Sequence, residues 1–193
     1  SEYDDIELVC LPSLHFSGRG LFDRNSTLWS SWAIISDRVK IYFSGDSGYG
    51  QHFKTIGDTY GPFDLVLLDC GQYNDAWKYS HMVPEEGVLA SEDLKAKYFM
   101  PIHWGAFTLS THDWADPVKR AVRYARKKEI NILTPEIGEI VILGNKSNKN
   151  WWENTAAIAT EAGVFKCPTA LPPAGGDANI DGPSRDSDSA APS

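Results

Sequence analysis

The sequence is short of cysteine, of positive charge and of long apolar runs, and each shortage excludes something. Only Cys10, Cys70 and Cys167 are present among 193 residues. An odd, sparse set without CxxC spacing argues against a disulfide framework. Cys10 and Cys70 sit inside apolar runs, as buried free thiols of a reducing compartment do. Lysine and arginine total 18 against 26 acids, giving a net charge of −8 and a pI of about 5.0. That balance lacks the basic footprint of a general nucleic-acid binder. It leaves a neutral or phosphorylated small substrate open, because a bound metal can overrule the global field. No apolar run is long enough to span a bilayer, no signal-peptide pattern opens the chain, and no internal repeat is found. A cytoplasmic location is expected, with peripheral membrane contact left open.

What is present is ample apolar material: 42% of residues are hydrophobic and 12% aromatic, enough for one domain with a real core. The chain starts SEYDDIELVCLP, without Met and almost directly in a strand. We therefore expect a cleaved segment or a piece of a longer gene product.

Glu7–Leu11 reads as a short strand ended by Pro12, followed by a polar, Gly-containing loop over Ser13–Ser26. Thr27–Ile35 and Val39–Ser44 form a hairpin around the turn Ser36-Asp37-Arg38. The loop Gly45–Gly50 leads into a short helix, His52–Tyr60. Phe63–Asp69 is a near-continuous apolar run, as in a buried central strand. Val83–Leu94 is a helix with Pro84 at its start and two acids in its first turn. Lys97–Ile102 is another buried strand, stopping at His103-Trp104-Gly105. Pro117–Lys128 is a basic amphipathic helix with Val118, Ala121, Val122 and Ala125 on one face. Asn131–Leu133 and Glu139–Leu143 read as closing strands. The alternation predicts an α/β layered fold. Residues 1–144 form the domain; 145–193 read as a polar, largely disordered tail without stable packing after Lys166. Trp151 and Trp152 are candidates to dock on the domain, and Glu153–Ala162 is a marginal helix.

His15, Asp46, His81 and His103 share one placement, just beyond a strand end or in the loop that follows. Open α/β sheets gather ligands at such ends, and imidazole and carboxylate groups can converge there on a metal. Singly, each has a plainer reading. A loop histidine is commonly just solvated, and Asp46 between two glycines fits a turn. His52 reads as a capping or surface residue and His112 as a turn organiser with Asp113. His103, pinned between an apolar strand and Trp-Gly, needs a partner for its polar edge. Arg19 and Arg24 either meet a substrate anion or pair with Asp23. Tyr73 either lines a pocket mouth or packs. Asp69 ends a buried strand, where a carboxylate can hold a loop or a ligand histidine in place. Lys119, Arg120, Arg123, Arg126, Lys127 and Lys128 form a basic helix stretch. It can meet anionic lipid, although a solvated face is the commoner use.

Taken jointly, the series SLHFSGRG, YFSGDSGYG, GPFDLVLLDCGQY, YSHMVPEEGV and MPIHWGAF is far more specific than any part. Over roughly Glu7 to Leu143 it resembles the C-terminal half of the metallo-β-lactamase superfamily. The branch is the one that includes N-acyl-phosphatidylethanolamine phospholipase D, with the ascorbate-phosphate lactonases as more distant cousins.

The resemblance implies half of an αββα sandwich: one mixed sheet, helices mainly on one face, apolar residues showing on the other. It implies that His15 and His103 are ligands of two different metals, that Asp46 bridges both, and that His81 stands beside them without ligating. Two Zn²⁺ ions per complete site are implied, with other divalent metals open. Two metals about 3.5–4 Å apart can activate water toward phosphorus or a carbonyl carbon. Asp46 and His81 would be the catalytic groups, His81 by orienting the substrate or protonating a leaving oxygen. The family's His-x-His-x-Asp-His motif has no match in this chain, so further ligands and the N-terminal half are expected from outside it.

The expected function is a metal-dependent hydrolase acting on a phospholipid or small-molecule substrate, as a zinc phosphodiesterase. The alternatives are a lactonase-type hydrolase, or a degenerate chain acting as a structural or interaction domain. The fragment alone is expected to be inactive.

Overall fold

The sequence reaches its sheet through β1 (Glu7–Pro12), β2 (Ser30–Ile35) and β3 (Lys40–Phe43). A computed structural model describes residues 5–107, 109–145 and 150–153. Ser36 closes the β2–β3 turn: its N–H donates to Val39 O at 3.0 Å, and its hydroxyl oxygen accepts the N–H groups of Arg38 and Val39. Then come α1 (Gln51–Thr59), β4 (Leu65–Asp69), a 3₁₀ turn (Asp75–Trp77), α2 (Pro84–Asp93), β5 (Tyr98–Ile102) and α3 (Asp116–Lys127). The five strands form one mixed sheet in chain order, antiparallel from β1 to β3 and parallel from β3 to β5.

The register shows how the sheet divides its faces. Val9, Ala33, Tyr42, Val66 and Phe99 lie in one row across the strands. Except for the edge residue Val9, all are fully buried, packed with Phe53 and Ile56 of α1, Val88 of α2 and Val118, Ala121 and Ala125 of α3. Side chains alternate across a pleated strand, so the next row must face the other way. That row holds Cys10, Trp32, Phe43, Leu67 and Met100. Trp32 and Phe43 are 39% and 40% exposed there, and Leu8, two residues before Cys10, is 62% exposed. The helices cover one face, and the apolar side chains of the other remain open to solvent, most of all at β1.

Helix starts follow local chemistry. Pro84 opens α2, where its missing N–H costs nothing. The Glu86 carboxylate reaches back to accept the Val83 N–H at 3.0 Å. Arg120 of α3 clamps Glu85 of α2 with two hydrogen bonds, at 2.6 and 3.1 Å.

Four expectations are corrected. Cys10, expected buried, is exposed, because it lies in the row that faces away from the helices; Cys70 is buried as expected. The strand expected from Thr27 starts only at Ser30, because the Trp29 indole N–H turns away to donate to Ser13 O at 2.8 Å. Asn131–Leu133 shrinks to a single parallel bridge between Ile132 and Phe99. Glu139–Leu143 is not a strand. Beyond Pro135 the chain turns at Gly138 (φ +87°) and leaves the sheet, and Ile140 stands 85% exposed. A strand needs a ladder partner for its N–H and C=O groups, and the free side of β5 offers only that one bridge.

Trp151 and Trp152 do pack on the domain. Trp151 stacks on Trp104 at 5.4 Å and donates its N–H to Pro135 O, and Trp152 is buried. The chain divides into Ser1–Asn154 and Thr155–Ser193. The expected unpacked tail beyond Lys166 and most of the marginal helix Glu153–Ala162 lie outside the described residues. Among the described residues, no helix is long and apolar enough to cross a membrane.

Candidate metal centre

Strand direction alone gathers the site. β3, β4 and β5 are parallel, and β1 runs the same way because two antiparallel pairings separate it from β3. All four C-terminal ends therefore meet at one edge of the sheet. His15 follows β1, Asp46 follows β3, Asp69 ends β4 and His103 follows β5.

The first two loops are sewn together. The Ser13 hydroxyl donates to Asp46 O at 3.0 Å, the Leu14 N–H to Ser47 Oγ at 3.1 Å and the Gly48 N–H to Leu14 O at 2.8 Å. His15 stacks on Phe16 and donates its Nδ1–H to Phe16 O at 2.8 Å. That bond sets the tautomer and leaves a lone pair on Nε2. Nε2 is buried without a hydrogen-bond partner and lies 3.9 Å from Asp46 Oδ2. The other Asp46 oxygen, Oδ1, lies 3.6 Å from His103 Nδ1. One half-exposed carboxylate thus sits between two imidazoles.

Asp69 is the hub beneath them. It is fully buried, and its carboxylate accepts four donors: Ser47 N–H (3.2 Å), Gly71 N–H (3.2 Å), His81 Nδ1 (2.8 Å) and His103 Nδ1 (3.3 Å). His81 stands between the other two histidines, its ring 5.2 Å from that of His15 and 5.1 Å from that of His103. The bond to Asp69 raises the pKa of His103, and burial opposes it. His103 adopts φ +64°, a left-handed conformation uncommon outside glycine. It fits because residue 71 is glycine: a Cβ there would lie 2.0 Å from His103 O.

The arrangement suits a cation. Asp46, Asp69, His81 and His103 each offer a ligand atom within 4.8 Å of one another. The buried lone pair of His15 aims at Asp46 from the other side. Imidazole and carboxylate donors are the set that binds divalent transition metals, and a buried polar atom without a partner is expected to have one when the site is complete.

The structure brings His15, Asp46, His81 and His103 into one cluster. It adds Asp69 at a depth that strand-end position alone did not convey. Gln72 had no signal in the sequence, yet it pins the loop beyond His103. Its amide N–H donates to Phe107 O, and its carbonyl accepts the Leu109 and Ser110 N–H groups. His112 accepts the Gln72 backbone N–H at 2.9 Å. His52 lies outside the cluster on α1, where burial pushes its pKa down to about 4. Tyr73 hydrogen-bonds Asp116, stacks on His112 and lies under the Arg120 guanidinium. Asp23, one of the two partners considered for Arg19 and Arg24, accepts the backbone N–H groups of Arg19 and Gly20. A cavity of about 300 Å³ opens beside His103, lined by Gln72, Trp104, Ala106, Phe107 and Leu109.

The mixed sheet thus carries helices on one face and gathers histidines and aspartates at its strand ends. The chain belongs to the β-lactamase superfamily domain family, whose model matches residues 2–104. It is 42% identical over 156 residues to protein Rv0906 of Mycobacterium tuberculosis, covering 79% of this chain and 42% of the relative. It is 37% identical over 144 residues to the N-acyl-phosphatidylethanolamine-hydrolyzing phospholipase D 1 of Caenorhabditis elegans, covering 70% of this chain and 40% of that one. The chain thus spans less than half the length of these curated relatives. Among solved structures, Igni18, a metallo hydrolase of Ignicoccus hospitalis, shares the fold: TM-score 0.55 at 22% identity, covering 73% of this chain and 54% of that one.

Proposed function

We propose that this chain carries one side of the metal centre of a binuclear metal-dependent hydrolase, and that the complete protein is a zinc phosphodiesterase acting on phospholipid-like esters. The observation that carries the reading is the Asp46 carboxylate. Its two oxygens face two different histidines, at 3.9 and 3.6 Å, and one of those presents a buried, unpartnered nitrogen. Asp46 would bridge two ions, with His15 holding one and His103 the other. Bound Zn²⁺ supplies Lewis acidity toward a phosphoryl oxygen and lowers the pKa of water.

The chain's own residues do the rest. Asp69 ties down Nδ1 of His81, so the free nitrogen for proton transfer is Nε2. Asp69 also orients His103, as a carboxylate behind a metal-binding histidine does. The cavity beside His103 has room for an apolar substituent against Trp104, Phe107 and Leu109. The remaining ligands would come from polypeptide beyond this chain.

The test uses the longer gene product: metal content by emission spectrometry, then turnover of an N-acyl-phosphatidylethanolamine and of an acyl lactone. Two equivalents of zinc with phosphodiester cleavage is the expected result. Lactone cleavage alone would move the substrate class to the lactonases, and a metal-free, inactive protein would refute the reading.

A further inference from the structure

Gln72 is buried and holds φ +59°, a left-handed conformation uncommon outside glycine. Its backbone N–H donates to His112 Nε2 at 2.9 Å, and its backbone C=O accepts the Trp77 indole N–H at 2.7 Å. Its side chain reaches the segment that follows His103. The amide N–H donates to Phe107 O at 2.6 Å, and the amide oxygen accepts the N–H groups of Leu109 at 2.8 Å and Ser110 at 3.1 Å. Two more bonds run alongside. The Ser110 hydroxyl donates to Tyr73 O at 2.6 Å, and the Asn74 amide donates to the Thr111 hydroxyl at 3.2 Å.

All three side-chain bonds of Gln72 go to backbone groups. They fix the path of the segment and leave its side chains free for another use. Phe107 and Leu109 are 79% and 74% exposed, so core packing does not hold them. The same bonds satisfy one carbonyl and two N–H groups of the segment, which would otherwise draw water to it. The result is a wall of carbon on a fixed backbone, directly beyond a metal-site histidine. Trp104, Ala106, Phe107 and Leu109 line the cavity there, with Gln72 and His103 as its polar members. A few polar groups in a mainly apolar lining suit a ligand whose polar end meets His103 and whose carbon chain lies on the wall. A sugar or nucleotide in the same place would leave hydroxyl and ring nitrogen groups without partners.

We propose that Gln72 is a positioning residue for substrate selection: by holding Phe107 and Leu109 in place, it makes the cavity beside His103 a subsite for an alkyl chain on the phosphodiester. The proposal rests on the hydrolase reading of the metal centre and adds to it the residue that sets chain preference. Gln72 acts through the segment it holds, as the outer support of a preorganised site does. Each methylene removed from water contributes about fourfold in affinity.

The experiment uses the longer gene product and two substrates, p-nitrophenyl methyl phosphate and p-nitrophenyl butyl phosphate, followed by release of nitrophenolate. Turnover of the methyl ester reports the metal reading, and the butyl-to-methyl ratio of kcat/KM reports the subsite. A ratio of about 10–60-fold, carried mainly in KM, is expected for three added methylenes. Gln72→Met, close in volume but unable to hold the segment, should bring the ratio to within about threefold. Gln72→Glu keeps an acceptor for the Leu109 and Ser110 N–H groups and should retain a larger ratio than Gln72→Met. A merely structural glutamine would lower both activities together and leave the ratio alone. Should Gln72→Met not fold, Phe107→Ser/Leu109→Ser changes only exposed side chains and should flatten the ratio in the same way. The proposal is overturned if the methyl ester is cleaved and the parent's ratio is near one, or if a folded Gln72→Met or Phe107→Ser/Leu109→Ser variant keeps the parent's ratio. No turnover of either ester refutes the phosphodiesterase reading itself, and this proposal with it.

Discussion

Asp69→Asn is the most informative single change, because it alters charge and hydrogen bonding at nearly constant volume. The carboxylate is fully buried and accepts four donors, two from the backbone and two from imidazoles. In the variant one end of the amide still accepts, serving one donor pair. The other end presents N–H groups to a backbone N–H and an imidazole; the imidazole can move its proton to Nε2 and accept, so the buried backbone N–H of Ser47 or Gly71 loses its acceptor. That costs about 1–3 kcal/mol. It is a sizeable share of the roughly 5–15 kcal/mol of a typical domain. It corresponds to a fall in Tm of about 6 °C at this size. Chemical denaturation followed by tryptophan fluorescence reads it directly, with the midpoint shifted and the slope unchanged. Asp69→Ala should be at least as destabilised, since it leaves all four donors unserved. A loss below about 1 kcal/mol for both variants would refute the view that this carboxylate organises the strand ends.

In the longer protein, Asp46→Asn should lower metal content and nearly abolish turnover, because a neutral amide cannot balance two dications. His15→Ala and His103→Ala should each strip mainly one metal. His81→Ala should keep its metal and lose about 10²–10⁴-fold in turnover; metal loss there would make His81 a ligand. Gly71→Ala should be destabilised beyond the about 1–3 kcal/mol of ordinary overpacking, since its Cβ would lie 2.0 Å from the carbonyl oxygen of His103; a native-like melting temperature would refute that contact. His52, pushed down to about 4 by burial, is neutral in the fold while the unfolded chain protonates near 6.5. The unfolded state therefore binds more protons between those values, and the contribution of His52 is present above pH 6.5 and lost as pH falls through 4. At 1.36 kcal/mol per pH unit the bound is about 3 kcal/mol, and partial exposure brings it to about 1.5. His52→Gln should flatten the stability profile in that window, and an unchanged acid limb would discard the assignment.

Much of the layer order was legible along the chain. The apolar run Phe63–Asp69 and the amphipathic stretch Pro117–Lys128 are local patterns, and β4 and α3 formed within a few residues of their expected bounds. The histidines and Asp46 were visible for a related reason: each follows a readable strand end. Glu139–Leu143 carries the same β-forming residues and failed, since nothing in the segment itself specifies a pairing partner.

The sequence by itself determined the order of β1 to β5 and of the three helices, which faces are apolar and which ligand-type residues punctuate the strand ends, because periodicity and turn chemistry act over a few residues. Tertiary structure alone decided that Asp69 would serve both His81, 12 positions away, and His103, 34 positions away. It alone decided that His15 Nε2 would be buried without a partner while its ring faces Asp46. Those facts depend on four strands ending at one edge in a fixed register, and register is set by packing across the whole sheet.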